Sequence, residues 1–93
     1  MAEMASLRAT VHGHVQGVFF RVFVLDRAAQ LHLTGYVCNL PGGVVEVVAE
    51  GDKPDLEKLV AYLRKGPPGA SVDAVDTEWA AGTGNYRDFK VRY

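Results

Sequence analysis

Cysteine is nearly absent from this 93-residue chain, because Cys38 is the only one. That excludes an intramolecular disulfide framework and a four-cysteine zinc site. Long apolar runs are missing too. No stretch approaches the roughly 20 apolar residues needed to span a bilayer, and Met1 to Ser6 does not read as a signal peptide. Neither sign of charge dominates: 10 basic and 11 acidic residues leave a formal net charge of -1. This argues against a general nucleic-acid binder, which carries a basic excess, though not against one local anion site. A soluble, cytoplasmic protein is the expectation. The 48% hydrophobic and 23% charged content then fits one folded domain.

Along the chain the apolar pattern changes period. Leu7, Ala9 and Val11 alternate with Arg8, Thr10 and His12 as in a half-buried strand. A short loop from His14 to Val18 follows, bracketed by Gly13 and Gly17. From Arg21 to Leu33 the spacing is helical. Val24, Ala28 and Leu31 form a stripe widened by Leu25 and Ala29, and Gly35 serves as the stop signal. Tyr36–Leu40 and Val44–Glu50 read as two strands around a Pro41-Gly42-Gly43 break, a hairpin pattern. The valine run predicts a central strand, with Glu46 and Glu50 on a wet face.

Asp52 is placed to cap a second helix, with Pro54 in its first turn. Leu56, Leu59, Val60 and Leu63 give that helix its apolar stripe, and Gly66-Pro67-Pro68-Gly69 ends it. Val72–Trp79 and Phe89–Tyr93 read as two more strands, separated by a loop over Ala80–Asn85. The order strand, helix, strand, strand, helix, strand, strand is a split βαβ arrangement with one added strand. The expectation is an α+β sandwich: a five-stranded antiparallel sheet with two helices on one face. Residues 1–6 are expected to be a flexible extension, and 7–93 a single domain.

The chemistry concentrates at the first strand-to-helix junction. Backbone N–H groups at a helix start lack intrahelical acceptors, and the helix dipole favours anions there. A glycine-bracketed loop lets successive N–H groups converge on a phosphate. Arg21 follows with a rigid fork of donors. The same residues are compatible with an ordinary tight turn and a solvent-facing arginine. Neither nucleotide-binding glycine motif is present. Ser6 and Ser71 lack a nucleophile-elbow context. Cys38 has no visible activating partner and reads as inert. His12, His14 and His32 have no recognised ligand spacing with carboxylates, so no metal site is expected.

Gly13-His14-Val15-Gln16-Gly17-Val18-Phe19-Phe20-Arg21 resembles the signature loop of the acylphosphatase family. Gly35-Tyr36-Val37-Cys38-Asn39, followed by Pro41-Gly42-Gly43 and the strand ending in Glu50-Gly51, resembles the second family pattern, and Phe89–Tyr93 the closing strand. The similarity spans roughly residues 7 to 93. Three positions depart from the commonest pattern: Cys38 replaces a basic residue, Gly42 an aspartate and His32 a glycine. The resemblance implies a ferredoxin-like fold and hydrolysis of small acyl phosphates, without metal, cofactor or covalent phosphoenzyme. It implies that Arg21 binds the phosphoryl group with the backbone N–H groups of Val15, Gln16, Gly17, Val18, Phe19 and Phe20. It also implies that Asn39 orients the attacking water. An amide is not basic at neutral pH, so Asn39 would position water rather than deprotonate it.

Some side chains carry separate expectations. The Gln16 amide is expected to stabilise the loop, and Phe19, Phe20 and Phe23 to be mostly core. Tyr36, Trp79 and Tyr86 are expected to pack the sheet. A monomer with a small acyl-phosphate substrate, and no nucleic-acid or membrane partner, is the overall expectation. The alternatives are a non-catalytic anion-binding module, an RNA-binding domain and an accessory domain for carbamoyl transfer.

Overall fold

The computed structural model describes residues 4–93. Five strands and two helices follow the expected order: β1 (Met4–His14), α1 (Phe20–Gln30), β2 (Thr34–Asn39), β3 (Val45–Asp52), α2 (Lys53–Lys65), β4 (Ser71–Ala81) and β5 (Phe89–Arg92). They form one sheet in the order β4-β1-β3-β2-β5. Both helices pack on the same face of it.

The period-2 pattern places the core. Leu7, Ala9 and Val11 of β1 and Val45, Val47 and Ala49 of β3 are wholly buried. They meet Phe20, Val24 and Ala28 of α1 and Leu56, Leu59 and Leu63 of α2. The valine-rich β3 occupies the middle of the sheet. β1 begins earlier than expected. Met4, Ala5 and Ser6 pair with Asp52, Gly51 and Glu50, so these three belong to the sheet rather than to an extension. The remainder of that expected extension, residues 1–3, lies outside the described residues.

The sequence led to the expectation of an antiparallel sheet, and four of the five strands obey it. β5 runs parallel to β2, with Gly35 opposite Phe89 and Val37 opposite Val91. The direction follows from the path of the chain. β4 runs antiparallel to β1, while β1 and β2 both run antiparallel to β3. The segment after β4 crosses from one sheet edge to the other at a single end of the sheet. The returning strand must then run opposite to β4, which is the direction of β2.

Glu50 holds that crossing segment. It was expected on a wet face, yet it is buried. Its carboxylate accepts hydrogen bonds from Thr83 N at 3.1 Å, Thr83 Oγ1 at 2.8 Å and Gly84 N at 2.9 Å. The crossing segment covers the open face at this point. Burial alone would push the carboxyl pKa up. The hydrogen bonds from Thr83, Gly84 and Ser6 outweigh that and hold it below its usual value.

The helix ends also differ from the sequence expectation. α1 ends at Gln30, and Gly35 is not its stop. The stop is His32, with a left-handed φ of 57°. His32 N donates to Ala29 O at 3.1 Å and Leu33 N to Ala28 O at 2.9 Å, the paired bonds of a Schellman cap. Gly35 serves the sheet instead. At its φ of 134°, a Cβ would lie 1.9 Å from the Val48 carbonyl oxygen. Asp52 stands at the N-cap of α2 but makes no side-chain capping hydrogen bond.

Candidate active site

β1 delivers the chain into a loop over residues 15–19, and α1 starts at Phe20. Two residues of this loop have left-handed backbone: Gly17 with φ 75° and Phe19 with φ 61°. Glycine adopts that conformation freely, whereas phenylalanine does so at a cost of about 1–3 kcal/mol. Strain of this kind persists where surrounding structure imposes it. Among the described residues, no backbone carbonyl accepts from the N–H groups of residues 16–19.

A cleft of about 200 Å³ opens at this junction. Val15, Gly17, Phe19, Phe20, Arg21 and Val22 line it from the loop and first turn of α1. Asn39 enters from the end of β2, and Val91 and Tyr93 from the end of the chain. The fold thus brings Arg21 and Asn39, 18 positions apart in sequence, to one cavity. The Arg21 guanidinium lies over the Tyr93 ring, 4.8 Å from its centroid. Such stacking orients the guanidinium while leaving its edge donors free.

Asn39 Oδ1 is buried and, among the described residues, has no hydrogen-bond partner. A buried amide oxygen left in this state is unusual, since most buried polar atoms are paired. Asn39 itself lines the cleft that contains Arg21.

Gln16 and Val18 do not line the cleft. The Gln16 amide nitrogen instead donates to Leu40 O at 3.0 Å and Val44 O at 2.9 Å. Leu40 N in turn donates to Val44 O at 2.9 Å, closing the β2–β3 hairpin. Gln16 therefore fastens the loop to the hairpin that carries Asn39. Val18 packs against the edge of the core.

The expectation that all three phenylalanines are core holds for Phe20, which is 2% exposed, and not for Phe19, which is 82% exposed. Two adjacent side chains at a helix start cannot both point inward, and Phe20 takes the core position. Val22, Val91 and Tyr93 were not foreseen as site residues. Val22 sits beside Arg21 in the first helical turn, a usable signal; nothing local in the sequence points to the other two. Trp79 is exposed at a sheet edge, with the Lys53 ammonium 5.5 Å from its ring centroid, whereas Tyr36 and Tyr86 pack together on the open face.

Cys38 does not line the cleft. Burial first, and then the neighbouring Glu46 carboxylate, push its thiol pKa up. It remains a thiol at neutral pH and a poor nucleophile. Among the described residues, no group of three or more His, Cys, Asp or Glu is arranged to hold a metal ion.

Known proteins share this architecture. A curated acylphosphatase from Dehalococcoides mccartyi strain CBDB1 is 50% identical over 91 residues, covering 97% of this chain and 100% of that protein. An acylphosphatase structure from Coxiella burnetii superposes with a TM-score of 0.91 at 43% identity, covering 97% of this chain and 94% of that one. One from Bacillus subtilis gives a TM-score of 0.93 at 32% identity, covering 96% and 99%. The acylphosphatase family model matches residues 7–91, which include the loop, Arg21 and Asn39, and the chain belongs to the acylphosphatase family.

Proposed function

We propose that this enzyme hydrolyses small acyl phosphates with Arg21 and the loop N–H groups of residues 15–20 holding the phosphoryl group, and with Asn39 orienting the attacking water. The observation that carries this reading is that Arg21 and Asn39 line one cleft, with the Asn39 side-chain Oδ1 unpartnered among the described residues. A water donating to that oxygen is fixed on one side of a phosphoryl group held by the guanidinium. The left-handed Gly17 and Phe19 give the loop a backbone suited to an anion-binding nest, and the start of α1 adds its dipole.

In the step itself, the water oxygen forms a bond to phosphorus as the bond from phosphorus to the acyl oxygen breaks. The electron pair leaves with the carboxylate, a good leaving group that needs no strong acid. One water proton passes to a phosphoryl oxygen, giving a carboxylate and inorganic phosphate. The protein's contribution is positioning and stabilisation of charge on the phosphoryl oxygens. Asn39 orients water through its carbonyl and does not act as a base.

The enzyme acts as a monomer in this reading, with no cofactor and no nucleic-acid or membrane partner. Among the described residues, no helix is long and apolar enough to cross a membrane. Cytoplasmic residence is part of the same proposal and fits a composition with a single cysteine.

The test is release of inorganic phosphate from acetyl phosphate, measured with excess chelator, with inorganic phosphate as the competing ligand. The expected result is turnover that chelation leaves unchanged and competitive inhibition by phosphate. Phosphate that shifts amide resonances elsewhere while residues 15–21 stay silent would reject the assignment.

A further inference from the structure

We infer that Arg87, Lys90 and Arg92 form a second anion site, separate from the cleft of Arg21 and Asn39, that takes a small molecule carrying a linked di- or triphosphate. It stands on different residues from the proposed phosphoryl site and holds or fails independently of it.

Charge is the first observation. The chain as a whole carries a formal -1, yet three of its 10 basic residues fall within positions 87–92. All three line one cavity of about 330 Å³. Among the described residues, none of the three is in an ion pair; the ion pair there joins His12 to Asp76. Asp88 is the one carboxylate in the lining, so three cations against it leave the cavity a formal charge of +2. Like charges gathered this way repel, and an anion seated among them relieves the repulsion.

Geometry is the second. Lys90 and Arg92 are two positions apart on β5 and share one face of it, the face opposite that of the buried Phe89. Their backbone positions are roughly 7 Å apart at the rise of a strand. Two or three linked phosphoryl groups match that span better than a lone phosphate, and they bring enough negative charge for three cations. Arg87 approaches from the loop before β5. The cavity is larger than the cleft of about 200 Å³ at Arg21 and shares none of its lining residues.

Preorganisation is the third. The Arg92 guanidinium lies 3.9 Å from the centroid of the Tyr36 ring. That ring is held from two sides: its hydroxyl donates to Glu46 Oε1 at 2.9 Å, and it packs on Tyr86 at 6.1 Å between centroids. A guanidinium stacked in this way keeps its edge donors free for phosphate oxygens. Tyr86 also lines the cavity.

The experiment titrates inorganic tripolyphosphate into the full chain in excess inorganic phosphate, followed by calorimetry and amide resonances. The expected shifts centre on residues 85–92. Arg87→Gln/Lys90→Gln, at two exposed positions, should weaken tripolyphosphate at least about tenfold through lost charge-assisted bonds. Hydrolysis of acetyl phosphate by that variant should stay within about twofold of wild type, since the catalytic cleft is lined by other residues. Lys58→Gln/Lys65→Gln removes the same charge from exposed positions of α2 and should change the affinity by less than about twofold. Equal losses in the two double variants would mean attraction to net charge alone and overturn the site. Shifts confined to residues 15–21, or undiminished affinity in Arg87→Gln/Lys90→Gln, overturn it as well. A fall in hydrolysis that matches the fall in affinity would merge these residues with the catalytic cleft and end the claim of a separate site.

Discussion

The side-chain amide of Gln16 donates to the carbonyl of Val44 across 2.9 Å, joining the loop before α1 to the hairpin that follows Asn39. A second bond from the same nitrogen reaches Leu40 O. The Arg21 and Asn39 segments are separate in sequence, and this nitrogen ties them together beside the sheet pairing of β1 and β2 with β3. Placement errors of about 1 Å cost enzymes up to roughly 100-fold in rate, so the fastening has consequences for turnover as well as for stability.

Gln16→Ala should therefore lower kcat/KM for acyl phosphate on the order of tenfold and reduce stability by about 1–2 kcal/mol, through two lost partly buried hydrogen bonds. Gln16→Glu should be worse at neutral pH, because it presents a charged acceptor to two carbonyl acceptors. Hydrolysis assays and denaturant unfolding check both. A fully active, fully stable Gln16→Ala would remove the fastening role.

Arg21→Ala should abolish both phosphate binding and turnover, with a loss in kcat/KM on the order of 100- to 1,000-fold. Arg21→Lys should recover only part of it, since an ammonium lacks the planar fork and its stack on Tyr93. Calorimetric titration with phosphate, beside the assay, reads the two effects separately. Undiminished phosphate affinity in Arg21→Ala would place the anchor elsewhere.

Asn39→Ala should retain much of the phosphate affinity and lose most of kcat, on the order of 2–4 kcal/mol of transition-state stabilisation. The unpartnered Oδ1 adds a stability signature. Removing a buried, unsatisfied acceptor should leave Tm unchanged or raised, whereas a purely structural asparagine would lower it. Asn39→Asp should also be slow, because its charge would repel the phosphate. Wild-type turnover in Asn39→Ala contradicts the water-positioning role.

Glu50 gives a dependence on acid. Its folded pKa lies below the usual value near 4.5, held there by Thr83, Gly84 and Ser6 against the effect of burial. A depressed folded pKa stabilises the native state fully above the unfolded value, and that contribution fades as pH falls through the folded one. Wild-type unfolding free energy should thus fall below about pH 4.5 more steeply than that of Glu50→Gln. Glu50→Gln should be less stable at pH 7 and detach the crossing segment, visible as faster amide exchange at Thr83 and Gly84. Parallel pH profiles for the two proteins would be inconsistent with this account.

His32→Gly should stabilise the enzyme by about 0.5–1 kcal/mol, because glycine fits the left-handed position of the α1 cap without steric cost. For a domain of this size that is a rise in Tm of roughly 2–8 °C. His32→Ala lacks glycine's freedom and should give no such gain. Scanning calorimetry separates the two.

Residue pattern by itself determined the element order and much of the core. The alternation of Leu7, Ala9 and Val11 and the helical spacing of Leu56, Leu59 and Leu63 are local signals, and all six side chains are buried. The motifs determined the family, because the loop before Arg21 and the segment ending in Asn39 are long, contiguous patterns. Tertiary structure decided what depends on residues far apart in the chain. It made Glu50 a buried clip by laying Thr83 and Gly84 over the open face, and it set β5 parallel to β2. It turned Phe19 outward because its neighbour Phe20 fills the core. It also brought Tyr93 to Arg21, a contact across 72 positions of sequence. Periodicity reports which face of an element is apolar; it carries no information about which distant segment will cover a polar group or stack on a charge, because that is fixed only when the sheet order closes.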